Sequence, residues 1–158
     1  MDNQTIAGVM ETIAVLLEIK GGNPFKVRAY RNAAELITTS AERFADLSEE
    51  ELRAVPGIGK ELTAKLRELV NSGRLAYLEE LLQEFPRTLL DIVELQGVGP
   101  KTVAQLYREL GVVSIETLES AVIDGRIHQL RGMGAKKEAL LLRAIDDWRR
   151  VHPARQPL

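Results

Sequence analysis

Cysteine is absent from all 158 residues, which removes disulfides, thiolate metal sites and cysteine nucleophiles together. Histidine occurs only at His128 and His152, too sparse for an expected zinc site. No apolar run approaches the ~18 residues of a membrane span, and Met1-Asp2-Asn3-Gln4 lacks the basic start of a secretory signal. A soluble, cytoplasmic protein with no membrane partner is therefore expected. Neither sign of charge dominates, since 21 Lys and Arg stand against 23 Asp and Glu for a net charge of −2. Overall charge thus gives no support for a nucleic-acid partner, and any such support must come from local clusters. The remainder is ordinary for a folded chain: 45% apolar and 28% charged, with a length suited to one domain or two small ones.

Charge is distributed in blocks. Residues 20–43 hold Lys20, Lys26, Arg28, Arg31 and Arg43 against Glu35 and Glu42, while residues 44–54 are acidic. Residues 55–77 and 131–150 are again basic, with the acidic stretch 78–96 between them. Such alternation lets a fold gather a basic face, although a mixed, solvated surface would look the same in sequence.

Helix signals run the length of the chain. Ile6, Met10, Ile13, Leu16 and Leu17 recur at three- and four-residue steps, and Asn23-Pro24 reads as an N-cap opening a helix to about Ile37. Ser48 and Glu51 form a capping box. Leu62, Leu66, Leu69 and Val70 stripe another helix, closed by Asn71-Ser72-Gly73, and Tyr77, Leu78, Leu81 and Leu82 stripe the next. Further helices are predicted near 88–95, 100–110, 115–122 and 135–150. No stretch alternates as a strand does. The expected fold is all-α.

One short unit occurs three times: Val55-Pro56-Gly57-Ile58-Gly59-Lys60, Leu95-Gln96-Gly97-Val98-Gly99-Pro100-Lys101 and Leu130-Arg131-Gly132-Met133-Gly134-Ala135-Lys136. Two glycines around an apolar residue permit a tight reversal, with Ile58, Val98 or Met133 turned inward as an anchor. Amides at the second glycine then open a helix, where unpaired N–H groups and the positive dipole end favour phosphate, and the lysine beyond adds charge. This predicts a backbone grip blind to base sequence. A dinucleotide fingerprint would need a preceding strand and a third glycine, but Leu62, Thr102 and Lys137 stand there. Replacement of Gly134 is expected mainly to cost stability.

These units resemble helix-hairpin-helix motifs. With Asn23-Pro24-Phe25-Lys26-Val27-Arg28-Ala29-Tyr30-Arg31-Asn32-Ala33-Ala34 ahead of the first hairpin, the chain is similar to the amino-terminal domain of family X DNA polymerases. Gly97-Val98-Gly99-Pro100-Lys101-Thr102, followed by Leu106-Tyr107-Arg108-Glu109-Leu110-Gly111, resembles their fingers subdomain, and the third hairpin stands where bacterial members have theirs. The resemblance spans about residues 5–150. It implies a polymerase-β-like domain at 1–80, a fingers-like domain at 81–150 and a tail at 151–158. The nucleotidyl-transfer palm is missing, and the adjacent Asp146 and Asp147 point about 100° apart on a helix, so no polymerisation is expected from this chain alone.

The resemblance further implies a DNA partner, gapped or 5′-phosphorylated, and a DNA-repair setting near the nucleoid, with a repair protein as a further partner. DNA contacts are implied at Gly57, Ile58, Gly59, Lys60, Gly97, Val98, Gly99, Lys101 and Thr102, with Lys26 and Tyr30 on the 5′-phosphate. No cofactor is required, and the motif allows a sodium or potassium ion at the backbone of Gly57, Gly59, Gly97 and Gly99. In members with deoxyribose-phosphate lyase activity a lysine forms a Schiff base, and the matching position here is Lys65. Its amine must be neutral to attack. Glu61, one helical turn before it, works against that by pairing with the ammonium. Three readings stay open at this point: DNA-binding module, abasic-site lyase, or helical scaffold; the chain is also readable as a fragment of a longer polymerase. Tyr30 reads as a packing residue with a wet hydroxyl, Trp148 as core or docking stripe, and His128 as a surface or cap residue. Glu138 reads as a charge forced outward in a structural third hairpin.

Overall fold

A computed structural model describes residues 1–153, which form nine α-helices with no strand among them. The chain divides into two compact units, Met1–Phe85 and a second beginning at Pro86. Of the tail expected at 151–158, Val151 closes the last helix and residues 154–158 lie outside the described residues.

The first unit holds α1 (Asn3–Lys20), α2 (Pro24–Thr39), α3 (Glu49–Ala54), α4 (Lys60–Ser72) and α5 (Ala76–Glu84). The apolar positions of α1 extend almost all round the helix: Ile6, Met10, Ile13, Ala14, Leu16 and Ile19 are each at most 1% exposed. A helix apolar on every side must be surrounded, and α2, α4 and α5 all pack on it. Its ends are sharply set. Asp2 accepts the Thr5 amide at 2.8 Å, and Gly21, at φ +79°, ends the helix with its amide on the Glu18 carbonyl. Asn3 clips the following segment by donating to the Glu42 carbonyl at 2.7 Å and accepting the Phe44 amide at 2.9 Å. Asn23 caps α2 through the Phe25 amide, and the Ser48–Glu51 capping box starts α3.

The second unit holds α6 (Leu89–Val93), α7 (Pro100–Leu110), α8 (Ile115–Ile123) and α9 (Ala135–Val151). Leu89, Ile92, Val103, Leu106, Leu118, Ile127 and Ile145 are fully buried among them. Trp148 is 7% exposed and its indole N–H donates to Glu94 at 2.9 Å, so it is a core residue with a polar tether. Arg149 makes a two-pronged bond to Glu119, tying α9 to α8.

Candidate nucleic-acid interface

The first two hairpins have the same construction. Gly57 and Gly97 take φ of +94° and +81°, the left-handed region that glycine enters without strain, and reverse the chain there. Ile58 and Val98 turn inward, at 3% and 7% exposure, and their amides close on the carbonyls of Val55 and Leu95. Gly59 and Gly99 then stand at the N-caps of α4 and α7 in extended conformation, φ −89° and −111°. No side chain caps either helix, whereas Asp2, Asn23, Ser48 and Ser114 cap α1, α2, α3 and α8. A Cβ added at Gly59 or Gly99 would meet nothing within 4 Å. Each hairpin therefore presents a bare helix start to open space, with exposed Lys60 or Lys101 at its rim and half-buried Thr102 beside the latter.

The third hairpin departs from this plan. Gly132 takes the positive φ, +80°, and Gly134 is the extended N-cap of α9, but Met133 is only half-buried. Gly134 has φ −130° and open space at its Cβ position, so replacing it costs only the preference for glycine over an aliphatic N-cap, and Gly132 is the conformationally demanding residue. Glu138 does not turn outward as expected. Its side chain is 13% exposed and in close contact with His128 Nε2, which gives both residues a partner. Neighbouring side-chain bonds tie this hairpin to the second: Lys137 Nζ donates to the Gly97 carbonyl at 3.2 Å, and Gln105 donates to the Arg131 carbonyl at 3.3 Å.

In the first unit a second feature adjoins the hairpin. Helix α4 directs Glu61 and Lys65 toward Lys26 of α2 and Tyr77 of α5. Glu61 lies 3.7 Å from Lys26 Nζ and 3.9 Å from Lys65 Nζ, and both ammonium groups lie over the Tyr77 ring, at 4.8 and 5.0 Å from its centre. A side-chain hydrogen bond with Tyr77, opposed by partial desolvation, holds the Lys26 ammonium above the usual lysine range. Lys65 retains only 21% side-chain exposure, against 40% for Lys26. Lys26, Tyr30 and Lys65 are thus brought together, with Tyr77 as a member the sequence reading placed only in a buried stripe.

Tyr30 stacks on Tyr77, ring centres 6.1 Å apart, and is 2% exposed. Its hydroxyl is buried without a hydrogen-bond partner, so the wet hydroxyl expected of it is not found. Burial pushes its ionisation upward, helped by Tyr77 and Glu61. Because the folded state favours the neutral phenol, this contribution to stability is complete below the ordinary tyrosine value near ~10 and is lost as pH rises beyond it. Tyr30→Phe is expected to leave the protein as stable or about 1 kcal/mol more stable at pH 7, by removing an unpaired buried group. The gap in melting temperature should widen toward pH 11. A large loss at pH 7 would mean that the hydroxyl has a partner.

The sodium or potassium ion allowed by the motif would draw on the hairpin carbonyls. Those of Gly59 and Gly99 accept the Thr63 and Val103 amides at 2.9 and 3.0 Å, neutral donors that leave a lone pair. The Gly97 carbonyl faces a cationic donor, Lys137, and a metal ion sharing that oxygen would be repelled by the ammonium.

Two family comparisons match the chain: a helix-hairpin-helix domain over residues 1–75 and a SAM-like helix-hairpin-helix tandem over residues 87–147. The chain is 35% identical over 147 residues to DNA polymerase/3′-5′ exonuclease PolX of Bacillus subtilis (strain 168), covering 93% of this chain and 25% of that protein. It is 38% identical over 74 residues to DNA polymerase lambda of Arabidopsis thaliana, covering 46% of this chain and 14% of that protein. The chain spans a quarter or less of these relatives. No helix among the described residues is long and apolar enough to cross a membrane.

Proposed function

As a helix-hairpin-helix chain related to the amino-terminal region of family X DNA polymerases, this protein, we propose, binds DNA through its phosphate backbone. The observation behind this reading is the pair of uncapped, glycine-started helices, α4 and α7, facing open space beside Lys60 and Lys101. Bare amides at a helix start bond phosphate oxygens without reading a base edge. The setting is DNA repair, and the preferred substrate is gapped or 5′-phosphorylated. Support for that preference comes from Lys26 and Lys65, two ammonium groups sharing one carboxylate. A terminal phosphate dianion bonds two cations more strongly than the single charge of Glu61 does, and it can take that carboxylate's place.

Anisotropy titration with a gapped duplex tests both parts. With about 4–6 phosphate contacts, the log–log salt dependence of affinity is expected to have a slope of about −3 to −5. Affinity should not change with base sequence and should be higher with a 5′-phosphate, and Lys26→Ala should erase the phosphate advantage. Salt-independent or base-specific binding would refute the hairpin grip.

A second reading, deoxyribose-phosphate lyase chemistry, is favoured by the clustering of Lys65 with Lys26 and Tyr77. Neutral Lys65 Nζ would add to the C1′ aldehyde of the opened sugar and water would leave, giving an iminium. Loss of a C2′ proton would then break the C3′–O bond and expel the phosphate of the downstream strand.

A further inference from the structure

We propose that Tyr77 is a positioning residue for the phosphate cradle: its ring holds the Lys26 and Lys65 ammonium groups together so that one terminal phosphate can bond both. The ring's hold on the lysines stands on the structure alone; its effect on phosphate rests on the function proposed above. Two ammonium groups brought to one place repel each other. Glu61, 3.7 and 3.9 Å from them, carries a single negative charge on a side chain that is 65% exposed. The Tyr77 ring supplies a second attraction, its centre 4.8 Å from Lys26 Nζ and 5.0 Å from Lys65 Nζ. Lys65, at 21% side-chain exposure, feels it more strongly because less water competes. The ring is itself fixed from the core. It stacks on Tyr30 at 6.1 Å and 22°, and Tyr30 is 2% exposed and stands one turn after Lys26 on α2. Neither the stacking nor the attraction of cations to a ring face needs Glu61, so both persist when a phosphate takes the carboxylate's place. Two long side chains are then gathered before the ligand arrives, and the ordering cost of binding falls. Phenylalanine at position 77 would serve this role; an aliphatic residue would fill the space and attract no cation.

Side-chain NMR of the DNA-free protein tests the hold. The ε-protons of Lys26 and Lys65 are expected upfield in the wild type and in Tyr77→Phe. They should return to the ordinary lysine position in Tyr77→Leu, or in Tyr77→Met where leucine perturbs the fold. Ordinary positions in the wild type, or upfield positions that survive in the variants without a ring, would overturn it. Anisotropy titrations of one gapped duplex, carrying either a 5′-phosphate or a 5′-hydroxyl, test the effect on phosphate. Tyr77→Leu should lower the ratio of the two affinities about tenfold and Tyr77→Phe by no more than about twofold, with the 5′-hydroxyl affinity unchanged in both. Damage to the fold alone would weaken both duplexes alike. An unchanged ratio in Tyr77→Leu, or an equal loss in Tyr77→Phe, would remove the ring from the cradle. Should the wild type show no 5′-phosphate advantage while the NMR result holds, the proposed substrate preference falls and the ring's hold on the two lysines remains.

Discussion

A variant with both Gly59→Leu and Gly99→Leu is expected to bind gapped DNA about a hundredfold more weakly than the wild type, roughly 1.4 kcal/mol for each helix start. Both glycines lie at negative φ and face open space, so leucine fits the fold, but its side chain holds a phosphate away from the amides. The stability cost should stay near ~1 kcal/mol per site, the difference between glycine and an aliphatic N-cap. The opposite pattern is expected at the other glycine of each hairpin. Gly57→Ala and Gly97→Ala force a Cβ into φ of +94° and +81°, costing about 1–2 kcal/mol each. Measured side by side by anisotropy and thermal melting, the leucine pair should lose mainly binding and the alanine pair mainly melting temperature. Undiminished affinity in the leucine variant would sink the hairpin grip.

Lys65→Ala is expected to abolish borohydride trapping of a 5′-deoxyribose-phosphate substrate, and Glu61→Gln to increase trapping severalfold. Reduction makes the iminium permanent, so the adduct reports covalent attack and not mere affinity. Glu61 lies 3.9 Å from Lys65 Nζ and 3.7 Å from Lys26 Nζ, so it holds the very lysine that must shed a proton and occupies the place of the phosphate. Glutamine keeps the shape and removes the charge. Trapping that persists unchanged in Lys65→Ala would move the nucleophile elsewhere, and no trapping in either wild type or Glu61→Gln would leave DNA binding as the sole reading.

The helices were legible because their signals are local. The capping residues Asn23 and Ser48 and the apolar stripe of α4 each act within a turn or two of themselves, and the glycine pairs fix their hairpins from within. What escaped depends on residues distant in sequence. Tyr77 looked like one more apolar position of α5; only the packing of α5 against α1 sets its ring beneath Lys26 and Lys65. Glu138 looked like a charge with nowhere to go inside, because nothing local announces His128 as its partner. Lys137 figured in the sequence only as a residue standing where a dinucleotide fingerprint needs glycine, and its bond to Gly97 crosses from one hairpin to the next.

The glycine starts of α4 and α7 also bear on the energetics of the whole chain. A helix terminus without a cap is an unfinished fold, and an external polyanion that bonds its amides completes it. On the proposed function, DNA would be a folding ligand in the thermodynamic sense. At a free concentration a hundredfold above the dissociation constant, mass action adds about 2.7 kcal/mol to the stability of the native state. Binding is therefore expected to slow the exchange of the first amides of α4 and α7, which the empty protein leaves without a side-chain cap.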